Sequence, residues 1–235
     1  MLTENKFSKY LLYAIGEITL VVIGILIALS VNNWNDIQKT SQNSATILKD
    51  YRSDLVRDTL FLAFFIKKND SVLKSGQKNM IRISGPKATF DTVKYIAKFE
   101  HDPFISFIDK FNSKSTFNSM IGTDAFKSLN KDLKRKILNI DMTQTMTLNE
   151  KMINAYFDLT NEFTLQYPFG NNRGSGYLNE ISWDIKNERD FVIKYTAMCS
   201  FRNLLINNKL SAYKSVMKLT KKLMSDIDLY ISKGV

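Results

Sequence analysis

The strongest feature of the hydrophobic pattern is one continuous apolar run near the N-terminus. Residues 10–31 contain a single charged side chain, that of Glu17. As a helix this run rises about 33 Å, which matches a bilayer hydrocarbon core of about 30 Å. The small residues at 28–30 suit signal-peptide cleavage, but the apolar region of a signal peptide has only about 7 to 15 residues. The pattern therefore predicts an uncleaved transmembrane helix over residues 10–32.

Beyond residue 36 the apolar positions recur at helical spacing. One stripe predicts a helix over residues 37–78 with Gly76 marking its end, and it consists of Ala45, Leu48, Leu55, Leu62 and Ile66. No proline or glycine separates this helix from the apolar run, so the two are expected to form one long rod. Residues 83–87 are expected to form a loop.

Further helical patterns follow in the rest of the chain. They predict long helices over residues 131–167, 187–207 and 210–232, two short helices within 91–113, and turns at 167–177 and 207–209. The core is expected to include Met142, Met146 and Met152, because methionine fills irregular gaps. Cys199, the single cysteine, lies among apolar neighbours and is expected to be buried.

These elements predict an all-α fold, in which one N-terminal transmembrane helix continues into an elongated extracytoplasmic helical bundle. The expected organisation is an N-terminal tail over 1–9, the transmembrane helix over 10–32, a helical stalk over 33–80, and the remaining helical domain over 81–235. Three prolines and nine glycines in 235 residues agree with long helices.

The net charge of +10 is unevenly distributed. Two of the 33 basic residues and two of the 23 acidic residues precede residue 36, so the basic excess lies in the C-terminal part. This excess leaves open a solvated basic surface, an anionic membrane or an acidic partner. The lysines of the last helix are expected to face mostly solvent, at positions 209, 214, 218, 221 and 222. No nucleic-acid-binding module is recognisable, so nucleic acid is not an expected partner.

The residues that flank the apolar run predict its orientation. Lys6 and Lys9 precede it, whereas Lys39 is the only basic residue between 32 and 48. The positive-inside rule then places the N-terminus in the cytoplasm and the large domain outside it. Aromatic anchors at the two membrane interfaces are expected from Tyr10, Tyr13 and Trp34, together with the two lysines.

Glu17 lies on a helix face that is suited to packing. That face consists of Ala14, Glu17, Val21, Gly24, Ala28 and Val31, which alternate in steps of three and four. Gly24 and Ala28 form a small-xxx-small pair that allows close approach of another helix. Three interpretations of Glu17 remain open, namely a contact with a membrane protein partner or a second copy, a proton or ion pathway, or no special role.

No constellation of catalytic residues is recognisable. His101 is the only histidine, no zinc or calcium motif is present, and no catalytic, cofactor or metal site is predicted. The loop "YPFGNNRGSGY" is rich in glycine but lacks the GK[ST] ending of a phosphate-binding loop. We expect it to face a partner through Tyr167, Arg173 and Tyr177.

The segment "KYLLYAIGEITLVVIGILIALSVNNWND", residues 9–36, resembles the N-terminal signature of domain-of-unknown-function family 6090. Shared features are the aromatic entry, the Gly16–Glu17 pair, Gly24, and the asparagine-tryptophan exit at 32–35. A second segment, residues 115–139, is similar through Thr116 and Phe117, although "IGTDAF" departs from the family pattern. The resemblance implies a single-pass inner-membrane protein of Gram-negative bacteria with a helical periplasmic domain, and it implies no activity.

These observations together predict a non-enzymatic interaction or accessory subunit without a cofactor. Its expected partners are the lipid bilayer and a membrane protein or a second copy of the chain. Two alternatives are a periplasmic ligand-sensing module that relays to a membrane partner, and an accessory subunit of an ion-coupled complex that uses Glu17. A polar pocket within the bundle would favour sensing.

Overall fold

The computed structural model describes residues 4–100, 105–148, 151–167 and 183–233. Within these ranges every regular element is helical and no strand occurs, which confirms the all-α prediction. The helices are α1 (Glu4–Ser84), α2 (Phe90–Tyr95), α3 (Ser113–Met120), α4 (Asp124–Ser128), α5 (Lys131–Thr147), α6 (Lys151–Gln166) and α7 (Glu188–Ser232). A π-helical turn, Ile96–Glu100, extends α2.

Helix α1 joins the apolar run and the bundle without a break, as the absence of proline and glycine between them predicts. Its 81 residues extend about 120 Å at the rise of an α-helix. All side chains described from Tyr10 to Lys39 are exposed, and Ser44 is the first buried one within the described residues. From Ser44 onwards α1 is therefore part of the bundle.

Helices α1 and α7 run antiparallel along the bundle. The guanidinium of Arg52 donates to the carboxylate of Asp228 (Nη2 to Oδ2, 2.8 Å), whereas farther along α1 Gly76 lies against the side chain of Asn203. Residues farther along α1 therefore contact residues nearer to the N-terminus of α7. Near its C-terminus α7 approaches the end of the bundle from which the apolar run emerges.

The hydrophobic core lies along the apolar stripes of α1 and α7 and consists of three clusters. The cluster nearest the apolar run includes Leu48, Tyr51, Leu55, Ile137, Leu223 and Ile227. Leu62, Ile108, Phe111, Tyr213 and Val216 form the middle cluster. The farthest and largest cluster is rich in aromatic rings, with Tyr156, Phe163, Trp183, Phe191 and Tyr195. The antiparallel α1–α7 pair therefore forms the spine on which the shorter helices pack.

Polar side chains on α1 hold residues 105–128, here termed the connecting segment. Asn69 Nδ2 donates to the Ser106 carbonyl at 3.0 Å, and Ser44 Oγ donates to the Ala125 carbonyl at 2.9 Å. Between them the Asp58 carboxylate accepts from the backbone N–H groups of Asn112 (2.6 Å) and Ser113 (3.1 Å). The connecting segment therefore runs antiparallel to α1, and its buried backbone groups are satisfied by these side chains.

Two predicted helix boundaries are wrong. Gly76 lies inside α1 and does not end it. The missing side chain at this position lets Asn203 of α7 approach α1 closely. The predicted turn at 207–209 is also absent, since α7 continues through it with Asn207 and Asn208 exposed and Lys209 buried. Asparagine costs only a few tenths of a kcal/mol in an exposed helical position, so two of them do not end a helix.

The segment 131–167 forms two helices, α5 and α6, and not one. Its three methionines are exposed to 51% (Met142), 67% (Met146) and 37% (Met152), so their prediction as core residues is wrong. Thr147 and Gln144, both buried, occupy the α5 face that the methionines were expected to fill. Within 91–113, the first predicted short helix is present as α2, while residues 105–111 form no helix.

Candidate functional site

The exposed apolar part of α1 is the first candidate site. Its most apolar stretch has a mean hydropathy of 2.5, and none of that stretch is buried. This makes α1 long and apolar enough to cross a membrane, the one such helix among the described residues. Within the run, the Thr19 hydroxyl donates to the Ile15 carbonyl at 2.8 Å, so this polar group is satisfied inside the helix.

The residues of the predicted packing face form one exposed face of α1. Ala14, Glu17, Val21, Gly24, Ala28 and Val31 all lie in α1 and are all exposed. A Cβ placed on Gly24 would meet no atom within 4 Å, so the rest of the described chain leaves this face open. Its packing against another helix stays a prediction.

The aromatic side chains predicted to anchor the helix at the membrane interfaces are exposed at the two ends of the apolar run. Tyr10 and Tyr13 lie near its start, and Trp34 lies at its end with 63% of its surface exposed. The Asn32 amide donates to the Asp36 carboxylate one turn later, where the chain becomes polar. Lys6 and Lys9 belong to α1, but their side chains lie outside the described part.

Tyr167 occupies a core position and not the partner-facing one that the sequence predicts. It is 7% exposed, its ring contacts Phe163 and Phe191, and its hydroxyl donates to the Asp190 carboxylate. Burial and this hydrogen bond raise the pKa of Tyr167 to about 12. The other two residues predicted for this loop, Arg173 and Tyr177, lie outside the described residues, as does His101.

A polar cavity within the bundle is the second candidate site. It has a volume of about 130 Å³ and lies between α1, the π-helical turn and α7. Its polar lining consists of Ser71, Ser75, Asn79, Glu100, Arg202 and Asn203, and Val72, Met80 and Ile83 add apolar wall. Ser71 and Ser75 are exposed, so the cavity reaches solvent on the α1 side. We call it the Arg202 cavity.

Two residues that line this cavity each have a buried polar atom without a partner. Arg202 is only 4% exposed, and its Nε has no acceptor; the Oδ1 atom of Asn203 has no donor. Within the described residues no carboxylate lies within ion-pair distance of Arg202. Arginine stays protonated in proteins, so Arg202 cannot lower the cost of burial by losing its charge.

The other ionisable groups of the cavity are neutral or engaged. Glu100 forms an ion pair with Arg82. Burial raises the pKa of the Cys199 thiol to about 11, and the pKa of Tyr195 is raised well above its usual value, mainly by burial. Both therefore stay protonated at neutral pH, and the burial predicted for Cys199 is confirmed.

Sequence reasoning missed Arg202, although a signal was present. The positions 191, 195, 198, 202 and 205 form one heptad stripe on α7, and Arg202 is the charged residue within it. Among the described residues, no group of three or more His, Cys, Asp or Glu side chains is arranged to hold a metal ion.

Comparison with known proteins gives one match. The model of a protein family described as "Family of unknown function (DUF6090)" matches residues 17–116. The resemblance inferred from residues 9–36 is thereby confirmed, while most of the second similar segment, 115–139, lies beyond the matched range. No curated protein and no solved structure matches the chain.

Proposed function

We propose that this protein is a non-enzymatic, membrane-anchored interaction subunit. In this proposal residues 10–32 cross the inner membrane of a bacterium, with the N-terminus in the cytoplasm and the helical bundle in the periplasm. The observation that carries the proposal is the exposed apolar run, which continues without a break into the spine of the bundle. A helix that is apolar on all sides and unburied in its own chain needs lipid or a partner around it.

The helix face that carries Glu17 supports assembly and not only anchoring. An ionised carboxylate near the bilayer centre costs about 3 kcal/mol, so Glu17 is expected to face protein. It shares that face with Gly24 and Ala28, which permit close helix approach. The expected occupant is a transmembrane helix of a membrane protein partner or of a second copy.

A patch on the bundle supports a second contact outside the membrane. Leu60, Phe61 and Phe64 lie on one face of α1 and expose 68%, 52% and 59% of their surfaces. Contiguous exposed aromatic and aliphatic side chains are typical of protein interaction sites. In the proposed topology this patch lies about 40 Å beyond Trp34 along α1, within reach of the periplasmic part of a partner.

Purification in a mild detergent, followed by native mass measurement, tests the proposal. The expected species is an oligomer or a complex with a second membrane protein. Gly24→Leu should dissociate it, while Val22→Leu, which adds bulk on the opposite face, should leave it intact. A bare monomer without a copurifying membrane protein would overturn the subunit role.

Two variants at Glu17 test the polar contact separately. Glu17→Leu should weaken assembly, and Glu17→Gln should retain most of it because the amide still forms hydrogen bonds. Equal assembly of the wild type and both variants would remove Glu17 from the interface. Orientation is checked by a C-terminal alkaline phosphatase fusion, which is active only if that terminus reaches the periplasm.

Ligand sensing is a second candidate function. The Arg202 cavity favours it, because a polar pocket between the two long helices offers a ligand site on the same helix that enters the membrane. A membrane partner would then carry the signal, which agrees with the subunit role.

A further inference from the structure

We propose that the Arg202 cavity binds a small organic monocarboxylate that carries a hydroxyl or amino group next to its carboxylate. In this site Arg202 holds the carboxylate, and Asn203 Oδ1 accepts a hydrogen bond from the neighbouring group. The site is independent of the membrane-anchored role, so either proposal can fail without the other.

The need for an anion follows from Arg202. Its guanidinium is buried in the cavity lining, stays charged, and has no ion pair within the described residues. A buried charge without a partner is strongly unfavourable, and the planar guanidinium matches a carboxylate through two parallel hydrogen bonds. The other buried cation of α7, Lys209, has a partner in the Thr147 carbonyl at 2.6 Å, so Arg202 differs from it.

The surroundings favour a single negative charge. Arg202 is the one cation among the described residues that line the cavity, and the Glu100 carboxylate of the lining is paired with Arg82 outside it. The Glu100 carboxylate also lines the cavity and opposes a second negative charge on a ligand. A monocarboxylate therefore fits better than a phosphate dianion.

The other residues of the cavity lining determine which group next to the carboxylate, and which carbon skeleton, the ligand carries. Asn203 Oδ1 is buried without a donor, so a hydroxyl or amino group on the ligand removes an unsatisfied acceptor. Val72, Met80 and Ile83 provide apolar wall for a short carbon skeleton. A volume of about 130 Å³ holds several water molecules, which limits the ligand to a few non-hydrogen atoms.

Thermal unfolding of the full-length protein in detergent, with defined probes, tests this site. The probes are glycolate and glycine, which carry both groups, acetate, which lacks the donor, and inorganic phosphate. Glycolate or glycine is expected to raise the unfolding temperature in a saturable way, because binding to the folded state stabilises it. Acetate should bind about tenfold more weakly, and phosphate should give no specific response.

Variants separate the two contacts. Arg202→Met should abolish the response to every carboxylate, and Arg202→Lys should weaken it at least about tenfold, because lysine lacks the planar fork. Asn203→Leu should retain acetate binding but remove the preference for glycolate over acetate. Arg189→Gln, an exposed arginine on the same helix, is the matched control and should bind like the wild type.

Several outcomes would overturn the proposal. No response of the wild type to any carboxylate would mean that the cavity holds water only. A response that survives Arg202→Met in a variant with unchanged helical circular dichroism would place binding elsewhere. An equal response to phosphate and glycolate would contradict the monocarboxylate class, and an unchanged preference in Asn203→Leu would remove Asn203 from the site.

Discussion

Helices α1 and α7 both bury polar side chains within an apolar stripe, and Arg202 of α7 differs from three such residues of α1 in its hydrogen bonding. On α1, Ser44, Asp58 and Asn69 all bond to the backbone of the connecting segment. On α7, Arg202 lies at an equivalent stripe position and its Nε has no acceptor. Buried polar groups in folded proteins nearly always have partners. The three α1 side chains have theirs within the chain, whereas a ligand or water is the proposed partner of Arg202.

The largest expected effect is at Asp58. Asp58→Ala leaves the N–H groups of Asn112 and Ser113 buried without an acceptor, so the free energy of unfolding should fall by about 4 kcal/mol. Urea unfolding of the full-length protein, followed by circular dichroism, measures this. Asp50→Ala, an exposed carboxylate on the same helix, should change stability by less than about 0.5 kcal/mol. Equal effects at both positions would show that Asp58 does not hold the connecting segment.

A smaller loss is expected at Asn69. Asn69→Ala removes the donor to the Ser106 carbonyl and should lower the free energy of unfolding by about 2 kcal/mol. Hydrogen exchange should rise most near residues 105–108, because this bond fixes that part of the connecting segment. Exchange that is unchanged there would contradict the role assigned to Asn69.

The effect at Arg202 is expected to have the opposite sign. In ligand-free buffer Arg202→Met removes an unpaired buried charge and keeps an apolar side chain of similar length. The free energy of unfolding should therefore stay equal or rise by about 1 kcal/mol. A loss of more than about 2 kcal/mol would mean that Arg202 is paired within the chain, and the contrast with α1 would disappear.

The smallest expected effect concerns alkaline pH. Burial raises the pKa of Cys199 to about 11, above the ordinary 9.0, so the folded state keeps the thiol protonated. The stabilisation from this group is complete below pH 9 and is lost as the pH rises towards 11, because only the unfolded chain then releases the proton. By pH 10 the loss is about 1 kcal/mol, and Cys199→Ala should remove that part of the decline in unfolding temperature.

The same pKa provides a check that is independent of unfolding. At pH 8 a pKa of about 11 in place of 9.0 lowers the thiolate fraction about a hundredfold. Alkylation of the folded protein by iodoacetamide should be slower than that of the unfolded chain by at least this factor. Similar rates in the two states would contradict the burial of Cys199.

The continuity and the starting points of the long helices were predictable from the sequence, because local signals decide them. The absence of breakers predicted the continuous α1, and Asn187 at the predicted start of the last region indeed caps α7 by accepting from the Asp190 N–H. Gly76 and the asparagines at 207 and 208 do not end their helices, and their local signals could not show this because their effect depends on what faces them. Gly76 faces Asn203, whose side chain leaves no room for a Cβ atom at position 76.

The buried polar contacts could not be predicted from periodicity. Asp58 fits the apolar stripe of α1 by spacing, but its partners, Asn112 and Ser113, lie more than fifty residues away in the connecting segment. Arg202 is visible as a charge within a stripe, yet only the structure shows that no side chain of the described residues neutralises it. Patterns locate such residues, and three-dimensional contacts decide their roles.

Helix α1 is continuous and contains no proline. The number of residues between Glu17 and the Arg202 cavity therefore sets the angle between them about the helix axis. Inserting one residue between Trp34 and Ser44 would turn the two ends against each other by about 100°, whereas a seven-residue insertion would restore their alignment to within about 20°. A rotation of α1 beside the Arg202 cavity would therefore also turn the helix face that carries Glu17.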